Sequence, residues 1–160
     1  VTPGLSSRLA AIVEALPVRP DSRVLEIGCG SGAAARAVAD RLVGGHVLAI
    51  DRSGKAVAQA TAAGAAHIAA GRLRTRHVAA EDFVLQPGDE PFDLVLAVRV
   101  GALDGRHPAL GQRVMQRIAA ATTPGARLFV DGGHPLRELP IAGPVPGDRE
   151  AEVGPRSPSG

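Results

Sequence analysis

Residues 26–32 read Glu-Ile-Gly-Cys-Gly-Ser-Gly, with glycines at alternate positions between the apolar pair Val24-Leu25 and the helix-forming run Ala33-Ala34-Ala35. A strand, a tight turn and a helix N-terminus in that order form an anion- and nucleotide-gripping device, because free backbone N–H groups face the ligand. Glycine suits the turn because a Cβ would forbid its backbone angles and keep a ligand away from the main chain. An acid, Asp51, closes the next apolar run, about 20 residues beyond the glycines, where a carboxylate accepts hydrogen bonds from a ribose and repels a 2′-phosphate.

A second group of chemistry-bearing residues, Arg99, Asp104, Arg106 and His107, crowds one polar loop. Arg99 is suited to holding an anionic group and His107 to acting as a general base; the alternative is a plain solvated loop. Asp104, Asp131 and His134 are spaced too loosely to be assigned to a metal. Cys29 sits at a helix N-terminus without a partner base, so it reads as a small residue that fits rather than a nucleophile.

The elements that position these residues follow from periodicity. Leu5, Leu9, Ile12, Val13 and Leu16 recur at helical spacing, and Pro17 and Pro20 end that helix. Strands are expected over residues 23–27, 46–50, 74–79, 92–98 and 127–130, and helices over 33–42, 54–70 and 109–121. Gly44-Gly45 stops the first of these helices, and Ser53 caps the second in spite of the internal Gly64. Arginines at 72, 74 and 76 suit a charged sheet edge. Strands alternating with helices imply an α/β, doubly wound, mostly parallel sheet of about five strands. A core over residues 1–131 is then followed by a Pro/Gly-rich tail over 132–160, in which Pro135, Pro140, Pro144, Pro146, Pro155 and Pro158 argue against a regular strand.

A length of 160 residues sets the expectation of one domain. The aromatic share is 2%, with no Trp or Tyr, so the core must be aliphatic. A formal charge of +2, carried by arginine with Lys55 as the one lysine, comes without the aromatic interleaving of a nucleic-acid face. The single cysteine fits a reducing, cytoplasmic setting. No apolar run approaches the ~20 residues of a membrane span, so neither nucleic acid nor membrane is expected as a partner.

On these residues the chain resembles the class I S-adenosylmethionine-dependent methyltransferases, with a Rossmann-like core, over residues 5–131. The Glu26-x-Gly28-x-Gly30-x-Gly32 run, with Cys29 inside it, resembles the motif whose backbone meets the methionine portion of S-adenosylmethionine. Asp51, with Arg52 beside it, matches the ribose-holding acid. Glu81, Asp82 and Phe83 resemble the adenine-binding segment, with core packing as the alternative for Phe83. The stretch Phe-Asp-Leu-Val-Leu-Ala ending at Ala97 resembles the fourth-strand motif, and Pro124-Gly125 the turn into strand five.

The resemblance implies methyl transfer to a small-molecule acceptor. An Asn-Pro-Pro-Tyr type of motif is absent after strand four, so methylation of a base or amide nitrogen is not implied. The antiparallel hairpin that usually follows strand five has no counterpart in the proline-rich tail. Strand five is therefore expected to be an edge covered by the tail or by another subunit, and a homodimer would form through that edge or through the N-terminal helix. Two other readings compete. Gly28-x-Gly30-x-x-Ala33 and Asp51 also satisfy an NAD-dependent oxidoreductase, and the short sheet suits a non-catalytic cofactor-binding or scaffold domain.

Overall fold

Along each central strand the side chains alternate between two apolar layers, and this alternation organises the molecule. Val24, Val47, Ala49, Leu94 and Leu96 face one layer with Ile12, Leu16, Ala35 and Val38. Leu25, Leu48, Ile50, Val95 and Ala97 face the other with Val114 and Ile118. Strands buried on both faces in this way need helices on both sides, as parallel sheets do.

A computed structural model of the chain describes residues 4–142. Its helices are α1 (Ser7–Ala15), α2 (Ala33–Ala39), α3 (Gly54–Ala63), α4 (Ala65–Ala69) and α5 (Pro108–Ala120). Its strands are β1 (Arg23–Ile27), β2 (His46–Asp51), β3 (Leu73–His77), β4 (Phe92–Ala97), β5 (Thr122–Asp131) and β6 (Leu136–Leu139). They form one sheet in the order β3-β2-β1-β4-β5-β6. The first five are parallel and β6 is antiparallel to β5. The chain winds outward from β1 to β3 and then returns to the other side of β1, so strand order reverses between β1 and β4. In open α/β sheets that reversal opens a crevice beyond the carboxyl ends of the strands.

The structure corrects three sequence expectations. The antiparallel partner expected to be missing is present: β6 pairs with β5 from Leu128↔Leu139 to Asp131↔Leu136. Strand five is therefore covered by a strand of the tail itself, one of the two covers expected for it. Pro135 and Pro140 flank this four-residue strand without entering it, which an outermost strand tolerates. The rest of the tail, residues 143–160, lies outside the described residues. The helix expected over 54–70 is split at Gly64. A Cβ there would stand 2.4 Å from Leu73 Cδ2, so this glycine lets the helix lie directly on β3. Finally, β5 begins at Thr122 rather than at Arg127, with a register shift opposite Phe92 and Leu94.

At the β3 edge Arg74 and Arg76 both reach Asp89, at 2.9 and 3.0 Å. Burial raises the Asp89 carboxyl, but Arg76, the Gln86 N–H and Arg74 outweigh it and hold it down at about 2. Among the described residues no helix is long and apolar enough to cross a membrane.

Candidate functional site

A cavity of about 670 Å³ occupies the carboxyl ends of β1, β2 and β4. The turn after β1 forms its floor. Gly28 and Cys29 donate their N–H groups to Ile50 O at 2.9 and 3.0 Å, which hangs the turn from the end of β2. Gly28, Gly30 and Gly32 have φ of 73°, 54° and 80°, the left-handed region that the glycine spacing requires. The last two serve different ends. A Cβ on Gly30 would meet no atom within 4 Å, and Gly30 lines the cavity, so bare backbone there keeps a ligand's approach open. A Cβ on Gly32 would stand 2.9 Å from Ala60 Cβ, so this residue, which does not line the cavity, permits close packing of α2 on α3.

Asp51 binds the two sides of the floor together. Its Oδ2 accepts from Gly30 N–H at 3.0 Å and its Oδ1 from Ser53 N–H at 2.8 Å, at the start of α3. A carboxylate has about four lone-pair sites, so both oxygens can still accept from a ligand. Glu26 projects into the cavity wall from β1, only 5% exposed, and its Oε2 has no hydrogen-bond partner among the described residues. Burial first, and then the nearby Asp51 charge, push its carboxyl up to about 8. Burial and the same two acids push the Cys29 thiol up to about 12, so it is no nucleophile at neutral pH.

The other predicted residues separate into those that reach the cavity and those that do not. Arg52, Glu81, Arg99 and His107 line it. Asp82 and Phe83 do not. Asp82 lies 3.4 Å from Arg113 on the solvent side, and Phe83 is 2% exposed, packed in the core near Phe92 and under Arg76. For Phe83 the core reading is the one the fold adopts. Ala97 is buried at the end of β4 and borders a second cavity of about 330 Å³ beyond β4 and β5.

Further contributors complete the site. Leu9 of α1 and Val78 and Ala80 after β3 add apolar wall. Arg113 and Arg117 on α5 donate to Glu81 O at 3.2 and 3.0 Å and pin the 3₁₀ turn Ala80–Asp82 in place. Their four-residue spacing puts both on one helix face, a signal that was available. Asp131 is also a tie point: it accepts from Arg8 of α1 at 2.7 Å and from Arg99 N–H at 3.0 Å.

Comparisons with known proteins agree with this geometry. A sequence profile of the family described as methyltransferase domain matches residues 24–125. A protein-L-isoaspartate O-methyltransferase of Methylorubrum populi is 32% identical over 140 residues, 85% of this chain and 58% of that protein. An S-adenosylmethionine-dependent methyltransferase from Geobacter sulfurreducens, solved with S-adenosyl-L-homocysteine, superimposes with a TM-score of 0.60 at 22% identity, over 81% of this chain and 49% of its own. Its counterpart from Thiobacillus denitrificans, solved with the same ligand, gives 0.61 at 24% identity over 81% and 50%. The chain thus spans about half the length of the proteins it matches. The two solved structures bear on the fold, and the profile, from β1 into β5, bears on the family. With a glycine turn, an acid-terminated second strand and a switch-point cavity in one Rossmann-like sheet, the chain belongs to the methyltransferase-domain family.

Proposed function

We propose that this chain binds S-adenosylmethionine in the larger cavity and transfers its methyl group to a small-molecule acceptor. The observation that carries the reading is the joint between Gly30 and Asp51, which sets an open stretch of backbone beside a ribose-type acid at the strand-order switch. A volume of about 670 Å³ lies within the usual range for small-molecule and cofactor sites, about 300–1,000 Å³. The residues present fit the group: Gly30 leaves its approach clear, and Glu26 Oε2 is a buried polar atom still lacking a partner.

In this reading Asp51 holds the ribose hydroxyls, with Arg52 on the rim. The backbone of Gly28, Cys29 and Gly30, together with Glu26, receives the methionine portion. Ile50, Val78 and Ala80 give the adenine an apolar wall, and Glu81 stands beside it. Gly32, Asp82, Phe83 and Ala97 support these elements from behind. When bound, S-adenosylmethionine supplies an electrophilic methyl carbon on a sulfonium. Displacement at that carbon needs alignment and exclusion of water above all. Arg99 orients the acceptor at the mouth, and His107 takes its proton where the acceptor must lose one. A cytoplasmic location belongs to the same proposal, supported by the buried, free Cys29.

Titration calorimetry with S-adenosylhomocysteine and with NADH tests the reading. Binding of S-adenosylhomocysteine without NADH is expected, whereas binding of NADH alone favours the oxidoreductase reading and overturns this one. Turnover of the bound cofactor with an acceptor panel separates an enzyme from a scaffold.

A further inference from the structure

The cavity of about 330 Å³ beyond β4 and β5 carries more positive charge than its own acids neutralise. Its charged lining is Arg99, Arg106 and Arg137 against Asp104 and Asp131. Neither acid is paired with the guanidinium of Arg99 or Arg137. Asp104 is taken by the Arg106 guanidinium, with its Oδ1 on the Arg106 N–H at 3.0 Å. Asp131 is taken by the Arg8 guanidinium and the Arg99 N–H. The guanidiniums of Arg99 and Arg137 therefore have no carboxylate partner among the described residues.

Two further observations give this excess a direction. Arg99 has φ 57°, and it is the one non-glycine among the described residues in the left-handed region. That conformation is strained for a residue with a Cβ and is held by the bond from Arg99 N–H to Asp131; strain kept in place by its surroundings points to a use at that position. Arg99, Val100 and Gly101 also line both cavities. An anion held by Arg99 therefore lies at the wall of the cavity assigned to the cofactor.

We propose that this second cavity receives the anionic group of the methyl acceptor, a carboxylate or phosphate on a small molecule, with Arg99 and Arg137 as the receiving guanidiniums. The planar fork of arginine suits both oxyanions. Arg106 is neutralised by Asp104 and is not a primary contact. This deepens the methyltransferase reading and rests on it, because it names the chemistry of the acceptor.

The test titrates the full chain, with and without saturating S-adenosylhomocysteine, with succinate and separately with inorganic phosphate, following the arginine Nε–H resonances by NMR. The proposal expects the Arg99 and Arg137 resonances to move with one or both probes, which also tells carboxylate from phosphate. Arg137→Ala is expected to weaken that binding about tenfold, and Arg137→Lys, which keeps the charge but loses the fork, by less. Both replace an exposed side chain on an outer strand, and circular dichroism verifies their folding. Unmoved resonances, equal movement at an unrelated surface arginine such as Arg19, or unchanged binding in Arg137→Ala would each overturn the pocket. Loss of S-adenosylhomocysteine binding in the wild-type chain would instead overturn the methyltransferase reading, while the anion arm still reports on the pocket.

Discussion

The two ends of the site are built on opposite plans. At the ends of β1 and β2 the floor is backbone: glycines take the left-handed positions, and the acids Glu26 and Asp51 are buried or bound to main-chain N–H groups. At the ends of β4 and β5 a left-handed position is held by Arg99 as well as by Gly132, and the charges are exposed arginines partly matched by Asp104 and Asp131. The first plan suits a ligand of fixed shape pressed against the main chain. The second suits a partner recognised by charge at longer reach.

The division has opposite signatures in pH. Glu26 has a folded pKa raised from 4.5 to about 8, so the folded state holds a proton that the unfolded chain has lost between those values. Its contribution is fully present below about 4.5 and is lost as pH rises through about 8. Asp131 is the reverse. Burial raises it, but the Arg99 N–H and the Arg8 guanidinium outweigh that and hold it below its ordinary 3.8. Its contribution is present above that value and is lost as pH falls through the lowered one. Denaturant unfolding followed across pH is expected to show Glu26→Gln abolishing the decline between about pH 4.5 and 8, a change of several kcal/mol, and Asp131→Asn abolishing only one at lower pH. If Glu26→Gln left the decline between about pH 4.5 and 8 unchanged, the buried-acid half of the comparison would be broken.

Next in size is Gly32→Ala. A left-handed alanine pressed against Ala60 combines backbone strain with overpacking, and a loss of about 2–4 kcal/mol is expected in the same unfolding measurement. Asp51→Ala removes a carboxylate whose charge-assisted bonds are worth roughly 1.5–3 kcal/mol each. Affinity for S-adenosylhomocysteine is expected to fall more than tenfold by calorimetry, with a thermal melt separating this from loosening of the turn. The smallest effect has the opposite sign. Arg99→Gly relieves the left-handed arginine and is expected to raise stability by about 0.5–1 kcal/mol while acceptor turnover falls. A variant both more stable and fully active would show that the charge at the mouth is idle.

The cofactor half was the more legible in sequence for the same physical reason. Backbone turns demand glycine and a strand-ending acid, and these leave marks at fixed spacing: Gly28, Gly30 and Asp51 stand on the cavity where their spacing suggested. Phe83 was ambiguous because an aromatic that stacks and an aromatic that packs look alike in a string, and the fold buries it beside Phe92. The strand β6 was missed because Pro135 and Pro140 mask four residues whose only partner is β5. The mouth was less legible still. Arg8 and Asp131 meet across 123 positions of sequence, and Arg137 reaches the second cavity from the strand that was missed. Charge pairing of this kind depends on topology and leaves no local period.

The most direct test of the cofactor half is a crystal structure of the chain with S-adenosylhomocysteine. The ribose hydroxyls are expected on Asp51 and the methionine portion over the Gly28–Gly30 backbone, with the sulfur turned toward Arg99. Ligand seated elsewhere, or an Asp51 that keeps Gly30 and Ser53 but touches no ribose, would contradict the account.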